Sequence, residues 1–263
     1  MYNFELVTPS SVDEAVAALG EEDAQPLGGG QTLIPTLKQR LAMPTKLVSL
    51  SRIEALKGVK SEGGALLIGG ATTHGTVARE AAGQFPGLAD LAAHIGDPAV
   101  RNRGTIGGSL ANNDPSACYP AAALGTGATI VTNSREIAAD DYFQGMFATA
   151  LEEGEIITEV RLPIPETSNY QKFEQPASRF ALVGVFVAKY ADGVRVAVTG
   201  ASNDGVFRWS EAEAALASNF AADAVEGLSA PDGSGMISDL HGSGSYRAHL
   251  VKVLTKRAVA AAS

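Results

Sequence analysis

The chain has 263 residues, 20 Lys+Arg against 29 Asp+Glu, and a formal net charge of −9. With 45% hydrophobic and 19% charged residues it has the make-up of a folded globular protein, long enough for one large domain or two to three small ones. The acidic balance argues against nucleic acid as a partner, because phosphate neutralisation needs clustered Lys and Arg. The longest apolar run, Phe180 to Ala188, is far shorter than the roughly 20 residues that span a bilayer. The opening MYNFELVTPSS lacks the basic-then-apolar order of a signal peptide, so a cytoplasmic location is expected. The single cysteine, Cys118, excludes an internal disulfide and leaves no cluster for iron–sulfur or structural zinc. Glycine is in excess, and sixteen of the 29 precede residue 109.

In chain order, Phe4 to Val7 reads as a strand. Ser11 followed by Glu14 fits a capping box, opening a helix that Gly20 terminates. Gln25 to Leu27 runs into Gly28-Gly29-Gly30, and Leu33, Ile34, Leu37 and Leu41 give a second helical pattern up to Pro44. Lys46 to Leu50 is the next strand, completing a β-α-β-α-β unit over residues 1–56. Ala65 to Ile68 is strand-like, Thr73 suits a helix cap, and Leu88 to Ile95 is helical. The stretch RNRGTIGGSLANNDPSACYP has little periodicity and reads as irregular. A helix at Ala121–Leu124 ending at Gly125, and strands at Ala128–Thr132 and Glu155–Leu162, close a second unit, 57–168. Pro163 to Asn169 is the linker candidate. Beyond it, in 169–263, Ala181–Lys189, Val194–Thr199 and Val206–Trp209 form a meander, with helices at Ser210–Ser218 and Tyr246–Ala261.

Two loops carry chemistry. In the first, Gly28, Gly29, Gly30, Gln31, Thr32 and Leu33 join a strand to a helix. Glycines allow successive N–H groups to point into one concavity, which suits a diphosphate. An unliganded tight turn is the alternative. The second, Gly104-Thr105-Ile106-Gly107-Gly108-Ser109, repeats the pattern. A dinucleotide has a long polyanionic middle that calls for donors from two sides. No G-x-G-x-x-G follows a strand and no P-loop sequence occurs, so Rossmann and P-loop readings fail. His74, His94, His241 and His249 form no ligand pattern; His94 reads as a partly buried helix residue, and Cys118 as a half-buried thiol. Ligand-holding loops without acid–base or nucleophilic apparatus are what a cofactor-borne reaction requires.

GGGQTLIP (28–35), IGDPAVRNRGTIGGSLANNDPSA (95–117) and YQKFEQPASRFALVGV (170–185) resemble the flavin subunit of the molybdenum hydroxylases, the medium subunit of aerobic carbon monoxide dehydrogenase and xanthine dehydrogenase-type enzymes. The likeness runs through essentially the whole chain. It implies an α+β protein: a two-part FAD-binding domain of the vanillyl-alcohol-oxidase (PCMH) type and a C-terminal three-stranded antiparallel sheet with helices. It also implies that FAD diphosphate is bound by Gly28 to Thr32 and by Thr105 to Ser109, with Leu33 and Leu162 at cofactor-touching positions and Ile106 close to the flavin. Lys172 matches a basic position near the flavin, where a cation favours the anionic reduced form. Two positions depart from the pattern: Cys118 stands where the family has an aspartate, weakening one contact, and Phe180 replaces a tyrosine.

The function implied is electron transfer: FAD takes electrons from [2Fe–2S] clusters of a small subunit, fed by a molybdopterin-binding large subunit, and passes them to an external acceptor. The expected assembly is a dimer of heterotrimers. Two alternatives share the fold. A free-standing FAD oxidase or reductase would want a base or flavin-linking histidine beside a glycine loop in sequence, and none is there. A flavin-free scaffold subunit would have eroded loops, and both are intact.

Overall fold

The computed structural model describes residues 1–262. The first unit is a parallel three-stranded sheet in the order β1 (Glu5–Val7), β3 (Lys46–Ser49), β2 (Ala24–Leu27), with α1 (Val12–Leu19) and α2 (Leu33–Lys38) as crossovers. Ser11 caps α1 by accepting from the Glu14 amide. The Glu14 carboxylate reaches back one residue further than a capping box requires, accepting from Ser10 N and Oγ. The second helix is shorter than its apolar spacing suggests. Arg40 adopts φ +60 and the Leu41 amide turns back to Thr36 O, which ends the helix and leaves Leu41 74% exposed.

The second unit is a five-stranded sheet in the order β4 (Val59–Glu62), β5 (Ala65–Gly69), β10 (Ile157–Pro163), β6 (Thr129–Thr132), β7 (Glu136–Ala138). Between β5 and β6 come α3 (His74–Glu80), α4 (Pro86–Ala93), α5 (Pro98–Arg101), α6 (Ile106–Asn112) and α7 (Tyr119–Thr126). Before β10 lie α8 (Ala139–Tyr142) and the small hairpin β8 (Phe143–Gly145) and β9 (Ala148–Thr149). All eight residues of α7 are buried, and Gly127, left-handed at φ +62, ends it two residues later than expected. The stretch read as irregular, 101–120, begins on the last residue of α5, holds α6 and runs into the start of α7. Asp97 and Thr105 cap α5 and α6 with their side chains, and these caps stand in for the missing apolar period.

The C-terminal sheet has four antiparallel strands rather than three: β11 (Thr167–Glu174), β12 (Ala181–Tyr190), β13 (Gly193–Ser202), β14 (Gly205–Arg208). The extra strand begins inside the segment read as linker and runs on to Glu174, so a boundary at 168 falls inside β11 and the connection shortens to 164–166. Phe186, Ala188, Ala197 and Tyr170 face the core of the second unit, while Val183, Val185, Val187, Val196 and Val198 face the other way. That second face is covered by α9 (Ser210–Ser218), α10 (Ala222–Glu226) and α11 (Gly244–Ala261). Burial on both faces explains the long apolar run at 180–188. The buried Arg247 guanidinium of α11 donates to Leu182 O, Gly200 O and both oxygens of Asp239, each at 2.8 Å. No helix among the described residues is long and apolar enough to cross a membrane.

Candidate functional site

The two glycine loops, 75 or so residues apart in sequence, lie backbone against backbone. A Cβ on Gly29 would collide with Arg103 O and come within 2.6 Å of Gly104 Cα, and one on Gly28 would sit 3.0 Å from Thr105 Oγ1. Only glycine allows this approach. The seam opens into a cavity of about 690 Å³. Its walls come from all three units: the first loop, the second loop with Gly70 and His74, and Lys172, Arg179 and Phe180 of the third.

The loops differ in what they offer. Among the described residues, the N–H groups of Gly29, Gly30, Gln31, Thr32 and Leu33 have no acceptor, and all five residues line the cavity. Gly30, at φ +73, turns the chain so that the donors fan out. In the second loop the donors are consumed. Ile106 N–H binds Thr72 O at 3.1 Å, Gly107 N–H binds Gly70 O at 2.9 Å, Gly108 N–H binds Thr105 Oγ1, and Ser109 N–H binds Thr105 O. Its glycines therefore serve close packing: a Cβ on Gly107 would lie 2.6 Å from Gly70 O. Thr105, Gly107, Gly108 and Ser109 remain in the cavity wall.

Ile106 and Leu162 lie elsewhere. Ile106, expected close to the flavin, is 1% exposed, packs in the core from the first turn of α6 and lies outside the cavity wall. Leu162 alternates inward with Val160 on β10, paired opposite Leu66, and is likewise core, outside the cavity wall. Lys172 does face the cavity. Its side chain is 4% exposed, and Nζ donates at 2.8 Å to His94 O at the C-terminal end of α4, where a cation is favoured. Arg101 adds donors to Ile95 O and Gly96 O at the same helix end. His94 is exposed at the C-cap rather than partly buried, its Nδ1 2.8 Å from Asp90 O. Cys118 is 5% exposed rather than half-buried, and lines the cavity at the start of α7. The segment before it is pinned by Thr199 Oγ1, which donates to Pro115 O and Ala117 O, and by Gly200 N–H to Pro115 O.

Two wall residues were given no site role by the sequence reading. His74 is 5% exposed, its backbone N–H is bonded to Gly104 O at 2.9 Å, and its ring lies 5.3 Å from that of Tyr119. Burial, and then the charge of Arg101, pushes the imidazole down to about 4, so it is neutral. Thirty residues separate it from Gly104, and no local pattern links them. Glu155 also lines the cavity, with its carboxylate accepting from Arg135, Thr132 Oγ1, Ser134 Oγ and Glu152 N. The Arg135 guanidinium leads these contacts in holding it down at about 2. Free backbone donors, a gap that a Cβ would fill and a buried cation suit a long ligand with an anionic middle.

The family model described as FAD binding domain in molybdopterin dehydrogenase matches residues 2–165. The chain is 34% identical to the carbon monoxide dehydrogenase medium chain of Hydrogenophaga pseudoflava, over 98% of this chain and 96% of that one. It is also 34% identical to the nicotine 6-hydroxylase medium subunit of Paenarthrobacter nicotinovorans, over 96% and 94%. The solved structure of reconstituted CO dehydrogenase from Oligotropha carboxidovorans superposes with TM-score 0.88 at 32% identity, covering 98% of this chain and 97% of that one.

Proposed function

This chain belongs to the family of FAD-binding domains in molybdopterin dehydrogenases, and on that premise we propose that it is the electron-transfer medium subunit of a three-subunit molybdenum hydroxylase. FAD, when bound, supplies a carrier that accepts electrons singly from [2Fe–2S] clusters and releases them in pairs to an external acceptor. The other two partners are a molybdopterin-binding large subunit and an iron–sulfur small subunit, assembled as a dimer of heterotrimers.

The observation that carries the reading is the row of five acceptor-less N–H groups from Gly29 to Leu33 in the cavity wall. A diphosphate placed there gains charge-assisted hydrogen bonds at no cost in backbone rearrangement. The second loop presses on the first and fixes its shape, while Ser109 and Thr105 contribute hydroxyls to the wall. Lys172 offers a fixed positive charge on the wall formed by the third unit. We assign residues 1–56 and the following unit up to 163 to holding the cofactor, and the C-terminal unit to closing the site and bearing partners.

Substrate choice belongs to another subunit. Relatives named for carbon monoxide and for nicotine match this chain at the same 34% identity over nearly its full length, as expected if this subunit handles electrons alone. The test is direct: protein purified with its partners should show flavin absorption and release FAD on denaturation. A colourless preparation with all three subunits present refutes the proposal.

A further inference from the structure

Resting on the flavin reading above, we propose that His74 is a cofactor-contacting residue whose imidazole supplies a hydrogen bond to an oxygen of the bound FAD where the two glycine loops meet. The placement is specific. Gly104, at the start of the second loop, touches both the first loop and the imidazole: a Cβ on Gly104 would lie 2.5 Å from His74 Nε2, and a Cβ on Gly29 would come within 2.6 Å of Gly104 Cα, with all three residues in the cavity wall. The ring is held at a fixed depth by the His74 N–H to Gly104 O bond and by Tyr119.

The imidazole makes no side-chain hydrogen bond among the described residues, and Nδ1 is enclosed without a partner. Leaving a buried polar atom unpaired costs roughly 1–3 kcal/mol. A ring kept only for packing would be better supplied by an apolar residue. The charged group acting on it is Arg101, and the ring packed beside it is the Tyr119 phenol, itself buried without a partner. Neither occupies the imidazole. A neutral imidazole carries one donor and one acceptor, so it can bond a cofactor oxygen without placing a second charge beside Arg101.

The experiment uses the full-length chain and FAD, with the dissociation constant read by flavin fluorescence and stability read on FAD-free protein. His74→Phe keeps an aromatic ring beside Tyr119 and removes both nitrogens. The expected result is about a tenfold rise in the FAD dissociation constant, about 1.4 kcal/mol, with no loss of stability in the FAD-free chain. His74→Gln should recover most of the affinity. An unchanged dissociation constant in His74→Phe overturns the contact, as does a stability loss that accounts for the whole change. If His74→Phe does not fold, the wild-type chain decides: the imidazole ¹⁵N resonances of His74 should shift on adding FAD, and unmoved resonances overturn the proposal. A wild-type chain that binds no FAD at all is a separate result, and it brings down the flavin reading itself.

Discussion

Replacing Gly107 by alanine separates packing from ligand contact. The new Cβ would lie 2.6 Å from Gly70 O and 3.0 Å from Gly70 C and Cα, all backbone atoms just beyond β5. No side-chain rotation relieves that contact. Shifting α6 by about half an ångström would, but it stretches the 2.9 Å bond from Gly107 N–H to Gly70 O to about 3.4 Å, past the useful range. Overpacking of this kind costs roughly 1–3 kcal/mol, and the weakened hydrogen bond adds about 1 kcal/mol. The FAD-free chain should therefore lose about 2–4 kcal/mol, read by urea denaturation followed by circular dichroism. FAD affinity should fall as well, because Gly28 rests on Thr105 and Gly108 of the displaced helix. If Gly107→Ala unfolds like the wild type yet no longer binds FAD, Gly107 touches the cofactor directly and the packing argument is wrong.

Lys172→Met removes the buried ammonium, so the flavin reduction potential should drop by about 30 mV or more, equivalent to about 1.4 kcal/mol for two electrons; an unchanged potential refutes the charge role. Two groups make the FAD-free chain acid-sensitive in separate windows. His74 is depressed from 6.5 to about 4, so the unfolded chain takes up its proton first and stability falls as pH drops through that interval. Glu155 is depressed from 4.5 to about 2, and the stability it confers above 4.5 is lost as pH falls toward 2. Each window is worth up to about 3 kcal/mol; His74→Phe should abolish the upper one and Glu155→Gln the lower, in unfolding measured against pH. Arg247→Met strips hydrogen bonds from the carbonyls of Leu182 and Gly200 and should cost about 3 kcal/mol, measured in urea; a change under about 1 kcal/mol would mean that water replaces the guanidinium.

Much of the fold is legible where local signals agree. The Ser11 and Thr73 caps, the meander of β12 to β14 and the α9 boundaries follow from residue type and spacing. The failures have physical causes. In α6 the first turn carries Gly107 and Gly108, which blank out the apolar period, although Thr105 supplies the cap. In β11 the residues Ser168, Asn169 and Gln171 are poor strand formers. Their alternation becomes meaningful only once β12 offers an edge, with Ser168 and Tyr170 both 3% exposed. At the site, the first loop is readable because its donors and its turn lie in six consecutive residues. His74 is not, since its place in the wall depends on a tertiary contact with Gly104. Nor could sequence divide labour between the loops, because whether an N–H is free depends on Thr72 and Gly70 lying opposite.

The glycine seam also bears on how the protein matures. Residues 1–56 contribute only Ala15, Leu19, Val48, Ile53 and Leu56 to a core of seven buried residues shared with Ala71 and Ile156, against 29 and 19 buried residues in the other two cores. So small a core leaves the N-terminal segment prone to local opening. It is joined to the rest by that shared core, by the Ala71 N–H to Leu56 O bond at 2.8 Å, and by the close contact of Gly28 and Gly29 with residues 103–108 beside the cavity. Hydrogen exchange in the FAD-free chain should be fastest across residues 1–56 and should slow there most on loading. Limited proteolysis of the FAD-free chain should then cut first within residues 1–56, and FAD should slow that cleavage.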